Sequence, residues 1–524
     1  MSFNVTSWLE TARRKICGML LPPLFCGVPL VMFCLVLLWL KLNPFHWVPL
    51  LSDEVMWYVQ IDSVMQHGAP LGFMGYNETH AEAGTFGPWG CAIVYAMACF
   101  GKLFGWRYWS PLVMNVSYIT VANVIFFWFT RPKRETALKL AALNGILFVS
   151  VQYMFTGMSE CTRYSMSIVL AGVFCYLLQE GNRNRKPYLV VLYAIAPVLL
   201  AFFSTCYIMF SFLFPVYGYV LFRHLNPRRC RCALFFILCC LVPVIVAFAC
   251  LLVLNKTSAP YPVNTLQVYL SQTGIGALWN VFCRVMAENY KCANFEFIID
   301  NAIVKNCFVA SYLFSYYILC VVVLFKLVSS VGENKRVNTL DLLVAYSLVF
   351  FVVAFLLFYS TKSPWTYIRG LNVAFIFGLY IVCIRNWRGL TYILCCLVCM
   401  QFLPFVPVIR SNLATRMQSR HEYGGDYELF GKYAKVFAAK LKLSKAGNKW
   451  DNTCAVYGDL FNFYCMIPSG LGLNYILNNQ PVTKPRYIVA DRKTGRVFAG
   501  YQQTYSDEYV SIFEKMSFIR EAEK

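Results

Sequence analysis

Residues Leu21–Leu40, LPPLFCGVPLVMFCLVLLWL, form a run of 20 residues without a charged side chain. About 20 apolar residues in a helix span about 30 Å, the thickness of the hydrocarbon core of a bilayer. Comparable apolar stretches recur as far as residue 408, and the chain is 59% hydrophobic but only 14% charged. Because a soluble domain carries about 25% charged residues, we predict an α-helical polytopic membrane protein.

The first apolar stretch is expected to be a membrane span rather than a cleavable signal peptide. Arg13, Arg14 and Lys15 precede it, but it is long and has no small-residue cleavage pattern. Positive charge before a first span favours a cytoplasmic N-terminus.

The formal charge of +21 is expected to orient the spans rather than to bind nucleic acid. Many of the basic residues lie in short loops between apolar runs, and such loops face the cytoplasm. This rule predicts about eleven spans, with the N-terminus inside and the C-terminus outside. They lie near residues 22–41, 110–130, 139–157, 164–180, 188–203, 206–222, 233–253, 307–328, 342–359, 371–385 and 390–408.

Residues 89–104 are apolar enough to form a further span. Counting them as one would invert the downstream topology and place most basic loops outside. We therefore expect this segment to lie in the outer face or to re-enter it.

Two domains follow from the composition. Residues 1–409 form the membrane domain, with an outer loop at 42–109, and residues 410–524 carry charges throughout without a span-length apolar run. The second domain is predicted to be a small α+β unit outside the cytoplasm. Its helix and short strands are expected at Tyr427–Leu443, Cys454–Tyr457 and Tyr487–Val489.

The 23 cysteines lie mostly within apolar runs, where a free thiol behaves as a small apolar residue. None has the spacing of a metal site. A disulfide between Cys454 and Cys465 is an alternative if the C-terminal domain lies in an oxidising compartment.

The acidic pair Asp53-Glu54 opens the outer loop, a few residues after the first span. Carboxylates beside a bilayer are costly and are usually retained for function. Further acids and bases are expected on the same side of the membrane, namely Glu78, His80, Glu82, Glu160, Arg163, Lys362, Tyr367 and Arg369.

These groups fit the transfer of a sugar from a lipid-phosphate carrier. The acceptor hydroxyl needs a carboxylate base, for which Asp53 is the candidate. The leaving phosphate needs cations, hydrogen-bond donors or a metal ion. Arg163, Lys362, Tyr367 and Arg369 are the candidate phosphate-binding residues, and Glu160 with Glu78, His80 or Glu82 could hold Mg²⁺ or Mn²⁺.

This arrangement resembles the GT-C class of membrane glycosyltransferases, which includes lipid-linked aminoarabinose transferases and protein mannosyltransferases. The resemblance covers residues 20–165 and the general layout of many spans followed by an outer domain. It rests on Asp53-Glu54 after the first span, the helical run Val55–Gly68, the segment Gly84–Trp89 before an apolar helix ending in Phe104-Gly105, and Ser159-Glu160.

The resemblance implies that Asp53 is the catalytic carboxylate and Glu160 a supporting acid or metal ligand. Two features depart from the class. Gly87 stands before Pro88 where many members have a lysine, which puts the donor-phosphate contacts in doubt. The C-terminal part lacks a W-W-D motif, which disfavours the oligosaccharyltransferase branch.

Simpler interpretations exist for the same residues. Asp53 and Glu54 also suit the first turn of a helix over Val55–Gln66, since acids stabilise helix N-termini. His67-Gly68 is typical of a helix end. Glu160 and Arg163 are spaced to pair along a helix.

The loop acids and histidine at Glu78, His80 and Glu82 are also typical of a solvated loop, since they lack fixed ligand spacing. Lys362 and Arg369 could also be interfacial residues whose long side chains extend their charges to the membrane surface.

The sequence therefore predicts an inverting glycosyltransferase in a membrane, expected to be the bacterial inner membrane, with its active site outside the cytoplasm. The donor would be a polyprenyl-phosphate sugar, and the acceptor a cell-surface glycan, lipid or protein. Membrane lipids, but no nucleic acid, are further expected partners. The alternatives are a transporter or flippase, marked by ionisable residues deep within spans, and a polymerase of lipid-linked glycans.

Overall fold

The computed structural model describes residues 5–41, 43–46, 52–70, 73–74, 82–83, 91–147, 159–184, 188–212, 241, 245–246, 249, 252–253, 283, 287, 307–333, 338–358, 364–385, 427–444, 450–457, 466–468, 471–475 and 482–522. Helices and strands are numbered in chain order over these residues.

The α-helices are α1 (Val5–Leu40), α2 (Ser52–His67), α3 (Cys91–Phe104), α4 (Ser110–Thr130), α5 (Arg134–Leu147), α6 (Ser159–Asn184), α7 (Tyr188–Ala201), α8 (Cys307–Gly332), α9 (Thr339–Phe358), α10 (Pro364–Arg385), α11 (Tyr427–Lys440) and α12 (Met516–Ala522). Short 3-10 helices lie at Pro44–His46, Thr205–Phe212 and Arg492–Thr494. The strands are β1 (Phe73–Met74), β2 (Glu82–Ala83), β3 (Thr453–Tyr457), β4 (Gly472–Tyr475), β5 (Tyr487–Asp491), β6 (Tyr501–Ser506) and β7 (Val510–Lys515).

Within the described residues, four helical segments are long and apolar enough to cross a membrane: Pro22–Leu40, Ser110–Thr130, Cys161–Leu178 and Leu313–Gly332. Shorter apolar helical segments lie at Cys91–Phe104, Thr339–Ala354 and Gly370–Arg385. The predicted helical membrane architecture is confirmed, whereas the count of eleven spans stays a prediction.

Several predicted spans are described only in part. The described parts of α5 and α7 are 14 residues each. The predicted span at 206–222 begins with a 3-10 helix rather than an α-helix. Most of the predicted spans at 233–253 and 390–408 lies outside the described residues.

The first spanning helices alternate in direction. Phe25 of α1 lies against Phe127 of α4, with ring centroids 5.5 Å apart. Phe45, just after α1, lies against Trp109 at the start of α4, 5.3 Å apart. Helices α1 and α4 are therefore antiparallel, as the predicted topology requires.

Helix α6 runs parallel to α4. The Thr162 hydroxyl near the start of α6 donates to Asn115 near the start of α4, and Phe129 packs on Tyr176 near their other ends. Two ends of the bundle can thus be distinguished. We call the end with Arg131 the basic end and the end with Trp109 and Thr162 the loop end.

Contacts among the later helices fix the direction of α10. The Tyr316 hydroxyl of α8 donates to the Leu348 carbonyl of α9 at 2.8 Å. Arg385 at the end of α10 forms an ion pair with Asp341 at the start of α9, with Nε and Oδ1 2.9 Å apart. Tyr380 of α10 donates to Asn123 of α4. Helix α10 therefore runs from the loop end to the basic end, in the same direction as α6.

Helices α2 and α3 pack against each other and against the C-terminal domain. A buried apolar cluster joins Trp57 and Ile61 of α2 to Phe437 of α11 and Val456 of β3. Helix α3 has 14 residues, or about 21 Å at ~1.5 Å per residue. That length is short of the ~30 Å hydrocarbon core, in keeping with the expectation that residues 89–104 do not cross the membrane.

The C-terminal domain is built on a five-stranded sheet of order β4-β3-β5-β7-β6. Strand β3 pairs in parallel with β4 and β5, whereas β7 pairs antiparallel with β5 and β6. Every residue of β3 and β5 is buried, because apolar clusters cover both faces of these strands. Continuous apolar strands are typical of this arrangement.

The predicted helix and strands of this domain are confirmed as α11, β3 and β5. Cys454 is a buried free thiol on β3, and Cys465 lies outside the described residues. The predicted boundary between residues 409 and 410 also lies outside them.

Candidate functional site

The loop end of the bundle gathers the beginnings of several helices. Helices α4, α6 and α10 start there, as the contacts above require. Helix α2 joins them because Tyr58, one turn and a half into it, stacks on Trp106 and lies 5.6 Å from Tyr108, just before α4. Helix N-termini carry partial positive charge, which favours anions.

The acidic pair lies in the first turn of α2. This helix begins at Ser52, three residues before the predicted start at Val55, so Asp53 and Glu54 belong to the helix rather than to the loop before it. Acids in a first turn interact favourably with the helix dipole. The side chains of both residues lie outside the described part of the structure, and their catalytic role stays a prediction.

Arg163 is the predicted phosphate-binding residue whose surroundings the structure describes best. It is half-buried in the second turn of α6. The hydroxyl of Tyr207, in the 3-10 helix Thr205–Phe212, donates to the Arg163 carbonyl. The same hydroxyl lies 2.8 Å from Ser167 Oγ, and the Tyr207 side chain is fully buried. These contacts hold the backbone that carries Arg163.

A second buried hydrogen bond lies one residue before Arg163. Thr162 Oγ1 donates to Asn115 Oδ1 at 2.6 Å, and both residues are fully buried. Since a buried polar group that lacks a partner is costly, this pair fixes how the start of α6 packs on α4. The backbone at Arg163 is thus held both by the hydrogen bond from Tyr207 and by the Thr162–Asn115 pair.

Sequence reasoning missed this support. Asn115, Thr162, Ser167 and Tyr207 lie in apolar stretches, where the sequence pattern does not distinguish them. The available signal was the spacing of Thr162, Ser165 and Ser167 in the first turns of a spanning helix. Their partners on α4 and on the 3-10 helix are distant in sequence, so the pairing could not be found there.

Asp62, in the middle of α2, is held within its own helix. Gln66 Nε2 donates to both of its carboxylate oxygens, at 3.1 and 3.2 Å. Burial raises the pKa of Asp62, and the hydrogen bond from Gln66 and the charge of His67 oppose that shift. The helix ends at His67, and Gly68 follows with φ +77°. The interpretation of His67-Gly68 as a helix end is confirmed.

The remaining predicted site residues are only partly described. Glu160 is the second residue of α6, Glu82 lies in β2, and Tyr367 and Arg369 lie in the first two turns of α10, but the structure describes the backbone alone at these four positions. Glu78, His80 and Lys362 lie outside the described residues. Among the described residues, no group of three or more His, Cys, Asp or Glu side chains is arranged to hold a metal ion, so the proposed ligand set stays a prediction.

Comparison with known proteins gives similarity in structure but not in sequence. No protein-family model matches the chain, and no curated protein matches it. A crystal structure of ArnT from Cupriavidus metallidurans bound to undecaprenyl phosphate is similar, with a TM-score of 0.46, 11% identity, and coverage of 92% of this chain and 97% of that one. Its apo structure gives a TM-score of 0.39 and 12% identity over the same shares of the two chains.

An Archaeoglobus fulgidus oligosaccharyltransferase, solved in complex with Zn and sulfate, is similar with a TM-score of 0.44 and 10% identity. The match covers 84% of this chain but 64% of the archaeal chain, so this chain spans less than two thirds of that protein. The solved structures with similarity to this chain thus include an aminoarabinose transferase and an oligosaccharyltransferase, both GT-C glycosyltransferases.

Proposed function

We propose that this protein is a glycosyltransferase that moves a sugar from a polyprenyl-phosphate carrier to a glycan, lipid or protein acceptor. The observation that supports the proposal is that α6 and α10 start at the loop end and that α2 lies beside them through Tyr58. Helix α2 carries Asp53, α6 carries Glu160 and Arg163, and α10 carries Tyr367 and Arg369. A carboxylate base and several phosphate-binding groups would therefore share one end of the bundle.

The proposed reaction needs these two kinds of group. The Asp53 carboxylate accepts the proton of an acceptor hydroxyl as the oxygen attacks the anomeric carbon. The bond from that carbon to the phosphate oxygen breaks on the opposite face, with inversion, and leaves the lipid phosphate. The negative charge that develops on this phosphate is stabilised by Arg163, Lys362, Tyr367 and Arg369.

A divalent ion, Mg²⁺ or Mn²⁺, would neutralise further phosphate charge when bound. Its proposed ligands are Glu160 with Glu78, His80 or Glu82. Oxygen ligands suit both ions.

The proposed location is a bacterial inner membrane, with the loop end outside the cytoplasm. Arg131, Lys133, Arg134 and Arg385 all belong to the opposite end of the bundle, and short basic loops face the cytoplasm. In this orientation the C-terminal domain, which packs on α2, lies beside the proposed site and would help to bind the acceptor.

A transporter or flippase of lipid-linked glycans is the competing hypothesis. Transport pathways place ionisable residues deep within spans. In the four described spanning segments, the Asp, Glu, Lys and Arg residues are Arg163 and Lys326, each near a helix end. This distribution of charged residues favours chemistry at the membrane surface over transport. A glycan polymerase would have the same distribution.

The test is transfer of labelled sugar from its polyprenyl phosphate in membranes that contain Asp53→Asn. We expect transfer to fall by about 10²-fold or more, since a positioned acid or base contributes about 10²–10⁴-fold. Asp62→Asn is the matched control, because the same change on the same helix leaves Asp53 intact.

Full transfer by Asp53→Asn would exclude Asp53 as the base. Movement of the lipid-linked glycan across vesicles without a new glycosidic bond would favour the transporter hypothesis.

A further inference from the structure

An apolar groove of about 550 Å³ lies between α1 and α4 near the basic end. Its walls include Pro22 and Cys26 of α1 and Val124, Phe127 and Trp128 of α4, and Arg131 lies at its rim. The volume is within the range of about 300–1,000 Å³ that is typical of ligand pockets. It lies at the opposite end of the bundle from Asp53 and Arg163.

The backbone at the rim of the groove has a defined conformation. Arg131 closes α4 in a left-handed conformation, φ +39°, and its N–H donates to the Phe127 carbonyl at 2.9 Å. Pro132 follows and cannot continue the helix hydrogen bonding. Pro22 and Pro23 lie inside α1 on the facing wall. The position of the arginine is therefore set by the backbone.

The open side of the groove is apolar. Trp128 is 71% exposed, Val124 is 46% exposed, and Leu24 on α1 is 55% exposed. Both helices contain spans long enough to cross a membrane. Apolar side chains exposed on such helices are expected to face lipid tails.

The rim of the groove is cationic. Arg131, Lys133 and Arg134 are all exposed over a four-residue stretch. The neighbouring acid, Glu135, forms an ion pair with Lys139 at 2.7 Å. Clusters of basic residues at the end of a span attract anionic lipid head groups.

We propose that this groove binds an anionic phospholipid from the leaflet at the basic end. The lipid phosphate contacts the Arg131 guanidinium, and an acyl chain lies along Val124, Phe127 and Trp128. The charge of the rim and the apolar walls match the two parts of such a lipid. The proposal does not depend on the proposed glycosyltransferase activity.

The test is native mass spectrometry of the purified full-length protein, delipidated and then supplied with phosphatidylglycerol or phosphatidylcholine of the same acyl chains. We expect stronger retention of phosphatidylglycerol. Arg131→Gln should lower its occupancy about fivefold, since one cation near an anionic lipid contributes about 1 kcal/mol. Lys326→Gln, which removes an exposed cation from α8, is the matched control and should retain the lipid.

A second variant tests the walls. Val124→Trp places a larger side chain at the groove and should lower retention of both lipids, while the melting temperature shows whether the variant is folded. Brominated phosphatidylglycerol should quench the tryptophan fluorescence of the unmodified protein. The quenching should be smaller in Trp128→Phe, because that variant lacks the tryptophan of the groove.

Equal retention by Arg131→Gln and Lys326→Gln, or equal binding of the two phospholipids, would overturn the proposal. Displacement of phosphatidylglycerol by polyprenyl phosphate, with the same dependence on Arg131, would also overturn it and make the sugar carrier the occupant. A dimer that occludes Trp128 would instead assign the groove to a second copy of the chain.

Discussion

Two tyrosine hydroxyls connect parts of the chain that are distant in sequence. Tyr207 joins the carbonyl of Arg163 to Ser167 at the loop end. Tyr433 of α11 donates to Asp507 at 2.8 Å, and Tyr505 and the N–H groups of Tyr509 and Val510 donate to the same carboxylate. The first contact positions a proposed phosphate ligand, and the second ties α11 to the β6–β7 hairpin.

Tyr207→Phe should lower the transferase rate by about tenfold or more, because a misplacement of about 1 Å at a catalytic group can cost ~10²-fold. Tyr316→Phe is the control. It also removes a buried hydroxyl that donates to a backbone carbonyl, but Arg163 keeps its contacts. Both variants should lose about 1 kcal/mol of stability, measured by thermal unfolding. Equal transfer rates would show that Tyr207 does not position Arg163.

Asp507→Asn should make the C-terminal domain less stable near neutral pH. Burial alone would raise the pKa of Asp507, but hydrogen bonds from Val510, Tyr433, Tyr509 and Tyr505 lower it to about 2. An unfolded aspartate has a pKa of about 3.9. The carboxylate therefore contributes stability above about pH 4, which is lost as the pH falls toward about 2.

The melting temperatures of the original protein and Asp507→Asn, compared from pH 6 to pH 3, measure this contribution. The difference between them should shrink as the pH falls. A difference that stays constant over this range would contradict the role of the charged form.

Among the helices, the α4–α6 contact positions the proposed site because Arg163 and its neighbour Thr162, which bonds to Asn115, lie at the loop end of that contact. The helices approach closely at Gly172. A Cβ added there would lie 3.0 Å from the Phe126 Cα and 3.3 Å from its Cδ2. Small residues permit such close packing between membrane helices.

Gly172→Ala should separate α4 from α6 and cost about 1–3 kcal/mol, the usual range for overpacking. The melting temperature in detergent measures the loss, and transfer activity reports the effect on the site. Gly332→Ala is the control, since a Cβ at Gly332 would meet no atom within 4 Å. Unchanged stability of Gly172→Ala would show that the interface can relax.

At the scale of the whole molecule, the C-terminal domain and the helix with the acidic pair share one buried cluster. Trp57 is 1% exposed, and Phe437 is fully buried in the same cluster. The membrane part and the C-terminal domain are therefore coupled through α2. A change in the core of the domain should reach the proposed site.

Phe437→Ala should lower both the melting temperature and the transfer activity. A buried Phe-to-Ala change costs about 3–5 kcal/mol, and the resulting cavity would loosen the contact with α2. Lys435→Ala, an exposed position on the same helix, should change neither. Reduced stability with full activity would show that the domain does not support the site.

The helical membrane architecture could be predicted from the sequence alone, because the length and apolarity of Leu21–Leu40 and similar runs are local properties. The sequence also predicted α11, β3 and β5, whose periodicities are local. It placed the start of α2 three residues too late, since acids and Ser52 suit both a cap and a first turn. The catalytic use of Asp53 and the metal ligands remain predictions.

The residues that support Arg163 and the docking of the C-terminal domain on α2 are visible in the three-dimensional structure but not in the sequence. Tyr207, Asn115 and Thr162 form hydrogen bonds between helices that are distant in the chain. Trp57 and Phe437 belong to one buried cluster although they are also far apart in the sequence. Such contacts depend on how helices are rotated and how close they pack. An apolar pattern specifies that a helix is buried in the membrane or the protein, but it does not specify which neighbour each side chain meets.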